Sequence, residues 1–377
     1  MMPDRDNPYL LTPGPLTTSA ATKQAMTRDW GSRDGRFIAL TAQVRGRLTA
    51  LAGGGDEFSC VLIQGSGTFA VEALLGTLVP ADGRCLILVN GAYGARMVRI
   101  CEIIGRAHAV YETAEDTPPD PAQLDAILVD DETIGHVVAV HCETTTGILN
   151  PIEDIAAVCE ARGRRLLVDA MSSFGALPLD LARVPCDAVA ASANKCLEGV
   201  PGIGFVVARR DALAAARGNS PSLSLDVHHQ WQGFETTGEW RFTPPTQVLA
   251  ALGQALAEHA DEGGIIGRGK RYADNCRVLV DGMRGLGFET FLPDGLQAPI
   301  IVTFRAPSDP RFDFTRFYDA LAERGYLIYP GKLTRAPTFR IGCIGRIDAT
   351  VMQGVVAAVA EVTREMRFDP AVGPSPG

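Results

Sequence analysis

Between residues 60 and 208 the chain alternates short, wholly apolar runs with longer stretches patterned for helix, and this alternation restricts the fold more than any other feature. Strands are predicted at 60–63, 85–89, 107–111, 137–141, 165–169, 188–191 and 205–208, with helices between them at 69–78, 92–104, 121–128 and 152–161. Runs such as Val137-Val138-Ala139-Val140 have no polar face. Such strands must be covered on both sides, so the expectation is α/β: a large, doubly wound, mostly parallel sheet flanked by helices. Ligands of such sheets bind at the carboxyl ends of the strands. Further helices are predicted over 19–26, 37–51 and 246–259. The pair Gly263-Gly264 then marks a boundary, and the pattern changes to helix 269–285, strand 300–304, helix 314–324, short strand 327–329, strand 338–341 and helix 349–366. That suits a smaller α+β domain. The expected division is a large domain over 16–261 and a small domain from 1–15 and 262–377, with the Pro/Gly-rich 367–377 as a disordered tail.

A chain of 377 residues exceeds what one core usually holds, in keeping with two domains. The net charge of −9, without a long basic run, speaks against nucleic acid as a partner. The nine cysteines are odd in number and include no Cys-x-x-Cys pair, which points to a reducing compartment, the cytoplasm, rather than a disulfide framework. No apolar run approaches the roughly 18 residues of a membrane span, and the first nine residues lack the apolar core of a signal peptide. His141-Cys142 has no second pair at metal-ligand spacing, so no metal site is expected.

The chemistry-bearing residues fall at strand ends. Gln64-Gly65-Ser66-Gly67-Thr68 joins a predicted strand to a helix. Its glycines permit a tight turn, and the helix N-terminus with two hydroxyls forms a cradle for phosphate. The same residues fit Gly-x-Gly-x-x-Ala, but the next strand ends in Asn90 rather than an acid, which disfavours a nicotinamide dehydrogenase. No P-loop pattern occurs. Asp169 ends the strand at 165–169, and Lys195 follows 26 residues later after one intervening strand, which places both over one pocket. A lysine among small and apolar residues loses hydration, shifts toward its neutral form and becomes a nucleophile toward aldehydes. Tyr93 opens a helix after another strand and can stack on a flat ring. His141-Cys142-Glu143-Thr144-Thr145-Thr146-Gly147 adds a polar rim. Arg340, between apolar strand residues, needs an anion, either an internal carboxylate or an acidic ligand.

The stretches Asp169-Ala-Met-Ser-Ser-Phe-Gly, Ser192-Ala-Asn-Lys195-Cys-Leu-Glu-Gly-Val-Pro-Gly and Gln64-Gly-Ser-Gly-Thr resemble the class V pyridoxal-phosphate-dependent aminotransferases of fold type I. Leu11-Thr-Pro-Gly-Pro, the 141–147 rim, Trp240-Arg-Phe-Thr243, Tyr329-Pro-Gly-Lys332 and Phe339-Arg340 narrow the resemblance. They are similar to members that pass the amine of 2-aminoethylphosphonate to pyruvate; the alternative is alanine–glyoxylate or serine–pyruvate exchange. The resemblance covers about residues 9–366 and implies pyridoxal 5'-phosphate as cofactor, small-molecule substrates and a homodimer with shared sites. It implies that Lys195 carries the cofactor as a Schiff base and shuttles the proton, that Asp169 pairs with the ring nitrogen, and that Tyr93 stacks on the ring. Ser66, Gly67, Thr68 and Asn194 would hold the phosphate, with Thr243 from the neighbouring subunit, and Thr145 would reach the ring hydroxyl. Arg340 would bind the acidic end of each substrate, with residues 11–15 and Ser32-Arg33 adding donors for a phosphonate. A sensor domain that keeps the cofactor only for recognition is the non-enzymatic alternative, disfavoured by the absence of a DNA-binding motif.

Overall fold

The computed structural model describes residues 5–332 and 336–372. Its centre is a seven-stranded sheet of β1 (Phe58–Gly65), β2 (Arg84–Val89), β3 (Ala107–Glu112), β4 (Ile134–Val140), β5 (Arg165–Asp169), β6 (Ala188–Ser192) and β7 (Gly202–Arg209), in the order β1-β7-β6-β5-β4-β2-β3. Every predicted strand of this region is present. All neighbouring strands run parallel except β7, which is antiparallel to both β1 and β6. The middle residues of β1, β4, β6 and β7 are buried without alternation, because helices pack on both faces.

The reversal of β7 decides where the chemistry goes. A parallel crossover after Ser192 would carry the chain to the far edge of the sheet. Instead β7 starts at the same edge where β6 ends, with Gly204 opposite Ser192 and Gly202 opposite Gly65. The whole segment 193–201 therefore stays at the carboxyl edge, beside the ends of β1 and β5.

A second apolar core is built from Leu11, Leu279, Phe288, Phe304, Phe317, Phe339 and Phe368. Phe339 lies at its centre, stacked on Phe304 with ring centroids 5.5 Å apart. Its sheet has Thr338–Gly342 between Ile301–Arg305 and Tyr329–Pro330, all antiparallel. The short strand expected at 327–329 is two: Tyr326–Leu327 pairs in parallel with Tyr9–Leu10, and Tyr329–Pro330 joins the other sheet. Two glycines in the left-handed region, Gly263 (φ 99°) and Gly264 (φ 67°), separate the helices Thr246–Asp261 and Gly264–Gly285.

The expectation of a disordered tail fails for 367–372. Phe368 is buried in the second core, and the Asp369 N–H donates to Asp309 at 2.9 Å. Burial of one aromatic ring, on the order of 1.5–3 kcal/mol, outweighs the nearby prolines and glycines that suggested disorder. Residues 373–377 lie outside the described part of the chain. Two helices, Arg210–Ala215 and Val227–Thr236, were not foreseen. The first has only six residues. The second, Val-His-His-Gln-Trp-Gln-Gly-Phe-Glu-Thr, has too few aliphatic residues to show a helical period, and is instead started by Asp226 accepting from the His229 N–H.

Candidate active site

At the carboxyl edge of the sheet lies a cavity of about 200 Å³, lined by Ser66, Gly67, Thr68, Tyr93, Asp169, Asn194 and Lys195, together with Gly14, Arg96, Met171 and Ser192. One water occupies roughly 30 Å³, so the space suits an organic group rather than a few waters. Seven of the ten residues singled out from the sequence thus share one cavity.

One wall is the start of helix Gly67–Leu78. Gly65 has φ 127°, and a Cβ there would meet the Phe69 ring at 2.5 Å, so the turn requires glycine. A Cβ on Gly67 would lie 2.3 Å from the Met171 sulfur. Ser66 is the N-cap residue, yet its hydroxyl makes no capping bond. The first N–H groups of a helix have no partner within it. This turn therefore offers free donors and the positive end of a helix dipole. Arg96 adds a full charge: its Nη1 donates to Thr68 Oγ1 at 3.2 Å. The Ser192 hydroxyl, buried at the end of β6, has no hydrogen-bond partner among the described residues.

The opposite wall carries a carboxylate. Asp169 is 4% exposed, and its Oδ1 accepts the Met171 N–H at 2.9 Å. Burial is the largest influence on it and raises its pKa to about 6, with the charge of Glu143 adding to the rise. Asp169 forms no ion pair within the described residues. The Met171 N–H and the charges of Arg96 and Lys195 only partly offset this burial, and a cation entering the cavity would stabilise the anion further.

Lys195 stands on the 193–201 segment. Its Nζ donates to the carbonyl of Pro13, and a Cβ on Gly14 would lie 2.7 Å from that Nζ, so only glycine lets this backbone approach so closely. Burial, more than any charge, lowers the lysine pKa to about 8; Arg96 and Arg340 lower it further, against Asp169 and Cys196. A substantial neutral fraction follows near neutral pH. The turn is anchored from behind. Glu198 has φ 58°, unusual for a residue with a side chain, and its N–H donates to the Lys195 carbonyl at 2.8 Å. Its carboxylate accepts from Tyr272 Oη at 2.6 Å and from Arg271 Nη2 at 2.7 Å. Arg268, fully buried, donates to the Cys196 carbonyl and to Glu262.

Tyr93 lies between these walls on the helix Ala92–Ile104, half-buried. Buried Glu143 fixes it, accepting the Tyr93 N–H at 3.0 Å on Oε2 and the Thr145 hydroxyl at 2.6 Å on Oε1. Burial raises the pKa of Glu143.

Three expected residues do not line this cavity. Thr145 sits behind Tyr93, where its hydroxyl also accepts the Ala92 N–H at 2.9 Å. Arg340 is 2% exposed and contacts no carboxylate among the described residues; Nε donates to the Pro330 carbonyl at 3.0 Å and Nη1 to that of Thr144 at 2.6 Å. Its charge nevertheless reaches Lys195 and Tyr93. Thr243 lies in a separate exposed cavity with Ser32, Arg33, Glu239 and Phe242. Sequence reasoning missed Arg96, Glu143, Ser192 and Met171 as site residues. Arg96 follows Tyr93 by three positions and so shares its helix face, a signal that was available. Ser192 and Met171 adjoin Lys195 and Asp169 in the quoted stretches but carry no mark of their own.

The donor set fits pyridoxal phosphate. An anion cradle with an orphaned buried hydroxyl stands at one end and a buried carboxylate without a cation at the other. An aromatic ring and a partly neutral amine lie between them. Among the described residues no group of His, Cys, Asp and Glu could hold a metal ion, and no helix is long and apolar enough to cross a membrane.

Comparison with known proteins agrees. The chain is 56% identical over 359 residues to a 2-aminoethylphosphonate–pyruvate transaminase of Pseudomonas fluorescens, covering 95% of this chain and 97% of that one. It is 57% identical over 365 residues to the enzyme of the same name from Burkholderia thailandensis, covering 97% and 99%. In fold it resembles pyridoxamine–pyruvate aminotransferase of Mesorhizobium loti (TM-score 0.88, 22% identity, 97% and 95% covered). It is equally close to alanine–glyoxylate aminotransferase of Nostoc sp. (TM-score 0.88, 23% identity, 97% and 96% covered). Residues 18–306 match the model of the class-V aminotransferases, and the chain, a pyridoxal-phosphate enzyme of α/β fold, belongs to that family.

Proposed function

We propose that this protein transfers the amino group of 2-aminoethylphosphonate to pyruvate, releasing phosphonoacetaldehyde and L-alanine. The observation that carries the reading is Lys195, drawn toward its neutral form, sharing a cavity with Asp169, Tyr93 and the open turn at 66–68. The near full-length identity to transaminases of that name supports the substrate pair.

When bound, pyridoxal phosphate supplies an aldehyde for the donor's amine and a ring that withdraws electrons from the donor's carbon. The hydroxyls of Ser66, Thr68 and Ser192, the Asn194 amide and the N–H groups around Gly67 would hold its phosphate, and Arg96 adds charge there. Asp169 would hold a proton on the ring nitrogen. Tyr93 would press on the ring face, kept in place by Glu143; Thr145, bonded to the same carboxylate, supports that wall. Lys195 Nζ would accept the proton from the donor's carbon and hand it on within the same half-reaction, and in the second half-reaction it would deliver a proton to the acceptor's carbon; Arg340 would hold the acidic end of either substrate. Asp169 is buried and Lys195 half-buried, and this partial exclusion of bulk water strengthens each charge interaction.

A homodimer is part of this reading. Phe69 and Phe242 are each 49% exposed and Leu223 74%. Phe69 and Phe242 flank an apolar cavity with Leu62, Leu225 and Trp240, adjoining the one that holds Thr243. Apolar surface of this kind suits a second copy, which would bring Thr243 to the neighbouring phosphate turn. The two largest apolar cores support a division into domains of 16–261 and of 1–15 with 262–377, and a third, smaller cluster with Leu16, Leu177, Tyr272 and Ile344 joins residues of both. Nine buried, unpaired cysteines suit the cytoplasm.

The test is kcat/KM for 2-aminoethylphosphonate, serine, alanine and taurine, with pyruvate and glyoxylate as acceptors. Aminoethylphosphonate with pyruvate is expected to lead. A tenfold advantage for serine or alanine would assign the protein to the alternative exchange instead.

A further inference from the structure

A phosphonate presents three oxygens and up to two charges, where a carboxylate presents two oxygens and one charge. The donors expected from sequence to meet that difference are elsewhere. Ser32 and Arg33 line the cavity of Thr243. The Thr12 hydroxyl is turned inward, accepting the Gly14 N–H at 3.0 Å and donating to the Pro15 carbonyl at 2.7 Å. Pro13 offers only a carbonyl. Among the described residues, Arg340 donates two of its five N–H groups to backbone carbonyls. A single guanidinium fork suits a carboxylate but does not by itself match the third oxygen and second charge of a phosphonate.

Lys332 stands nearby. Its Nζ is 5.2 Å from the centre of the Tyr93 ring, and the Arg96 guanidinium carbon is 4.9 Å from the same centre. Lys332 remains exposed on one side; partial burial first, then the charges of Arg96 and Arg340, depress its pKa, and the buried Glu143 opposes them. None of these three cations forms an ion pair among the described residues. The chain as a whole has 44 acidic and 35 basic residues. Most of its other buried or half-buried arginines, such as Arg45, Arg268 and Arg271, have carboxylate partners. Arg96 and Lys332 flank the Tyr93 ring, Arg340 lies over the ring of Tyr329 at 5.0 Å, and the charges of both arginines reach Lys332; unpaired cations so close repel each other, and an anion of more than one charge relieves that repulsion. The phosphate of the cofactor accounts for Arg96, through Thr68. Arg340 and Lys332 are left for the substrate.

We propose that Lys332 is the second cation of the substrate's acid pocket and sets its preference for a phosphonate dianion over a carboxylate. This rests on the transaminase reading above. Arg340 serves both half-reactions, because donor and acceptor each carry an acid. Lys332 meets the third oxygen and second charge, which only the phosphonate brings.

The experiment compares wild type, Lys332→Met and Lys332→Arg as cofactor-loaded enzymes. Binding of two amine-free probes, ethylphosphonate and propionate, is measured by calorimetry. Lys332→Met keeps the aliphatic stem on Tyr93 and removes the charge. It is expected to weaken ethylphosphonate about tenfold or more relative to its effect on propionate, and Lys332→Arg is expected to recover most of that difference. Equal weakening of both probes, or no weakening of either, overturns the assignment. The probes do not react, so the result stands apart from turnover. If wild type instead prefers serine or alanine as donor, the proposed reaction fails, and that outcome is read in the substrate panel rather than here.

Discussion

Ser192 separates ligand binding from stability at a single atom. A buried hydroxyl without a partner costs about 1–3 kcal/mol, and the described residues supply none. Ser192→Ala is therefore expected to leave the melting temperature of the cofactor-free protein unchanged or slightly raised, while weakening pyridoxal phosphate several-fold. Fluorescence titration with the cofactor, alongside thermal melting, checks both halves; a destabilised cofactor-free variant would mean that the hydroxyl serves the fold. Lys195 and Asp169 were legible in the sequence because each ends an apolar run, where a charged residue has few structural reasons to be. Ser192 was not, because a serine at a strand end is ordinary and its isolation is visible only once its neighbours are placed.

At the level of elements, the lysine turn is held by the helix Gly264–Gly285, through Arg268, Arg271 and Tyr272 on Glu198, Glu262 and the Cys196 carbonyl. Removing one member of a buried ion network leaves a charge uncompensated, at about 3–5 kcal/mol. Arg268→Met should thus lower the melting temperature by several degrees and, because the turn carrying Lys195 loosens, reduce cofactor retention as well. Loss of retention without loss of stability would contradict the account. The strands and the long helices were readable from apolar spacing, and the phosphate turn from its glycines. The network was not, since Glu198 and Arg268 are 70 residues apart and polar pairing leaves no periodic trace. The direction of β7 was equally hidden: the apolar run Phe205-Val206-Val207-Ala208 reads the same in either sense.

For the whole molecule, buried histidines contribute to the acid limit; His259, lowered by burial, and Glu262, lowered against its burial to about 2 by Arg271 and Arg268, act in the same direction as the two strongest cases. Burial lowers the pKa of both His136 and His141 to about 4. Between about pH 6.5 and 4 the unfolded chain holds protons there that the folded chain does not, so stability falls as pH drops through this window, by on the order of 2–3 kcal/mol for each histidine. Asp169 and Glu143 act in the opposite sense, because their folded pKa values are raised. A His136→Asn, His141→Asn double variant should show a flatter melting temperature between pH 6.5 and 4.5 than wild type; an unchanged slope would assign acid sensitivity to other groups. The proposed dimer has its own test. Lys195→Ala and Thr243→Ala chains, each inactive alone, should regain roughly a quarter of wild-type activity after subunit exchange, since half the dimers are mixed and each has one intact site. Exchange verified by mass but without recovery would place Thr243 outside its neighbour's site.

The N-terminal segment crosses between the two cores. Tyr9 and Leu11 donate to the carbonyls of Gly325 and Leu327, the Leu11 carbonyl accepts from Gly342, and Pro13 caps the lysine. On the ribosome these partners are separated in time. Residues 9–13 emerge more than 300 residues before 325–342, an interval of about 15–60 seconds at ordinary elongation rates. The seven-stranded sheet is complete by residue 209, well inside that interval, while its first-made neighbour still has nothing to pair with. The strand pairings of the N-terminal segment therefore cannot form until residues 325–342 have been made, whatever the rest of the chain has already folded into.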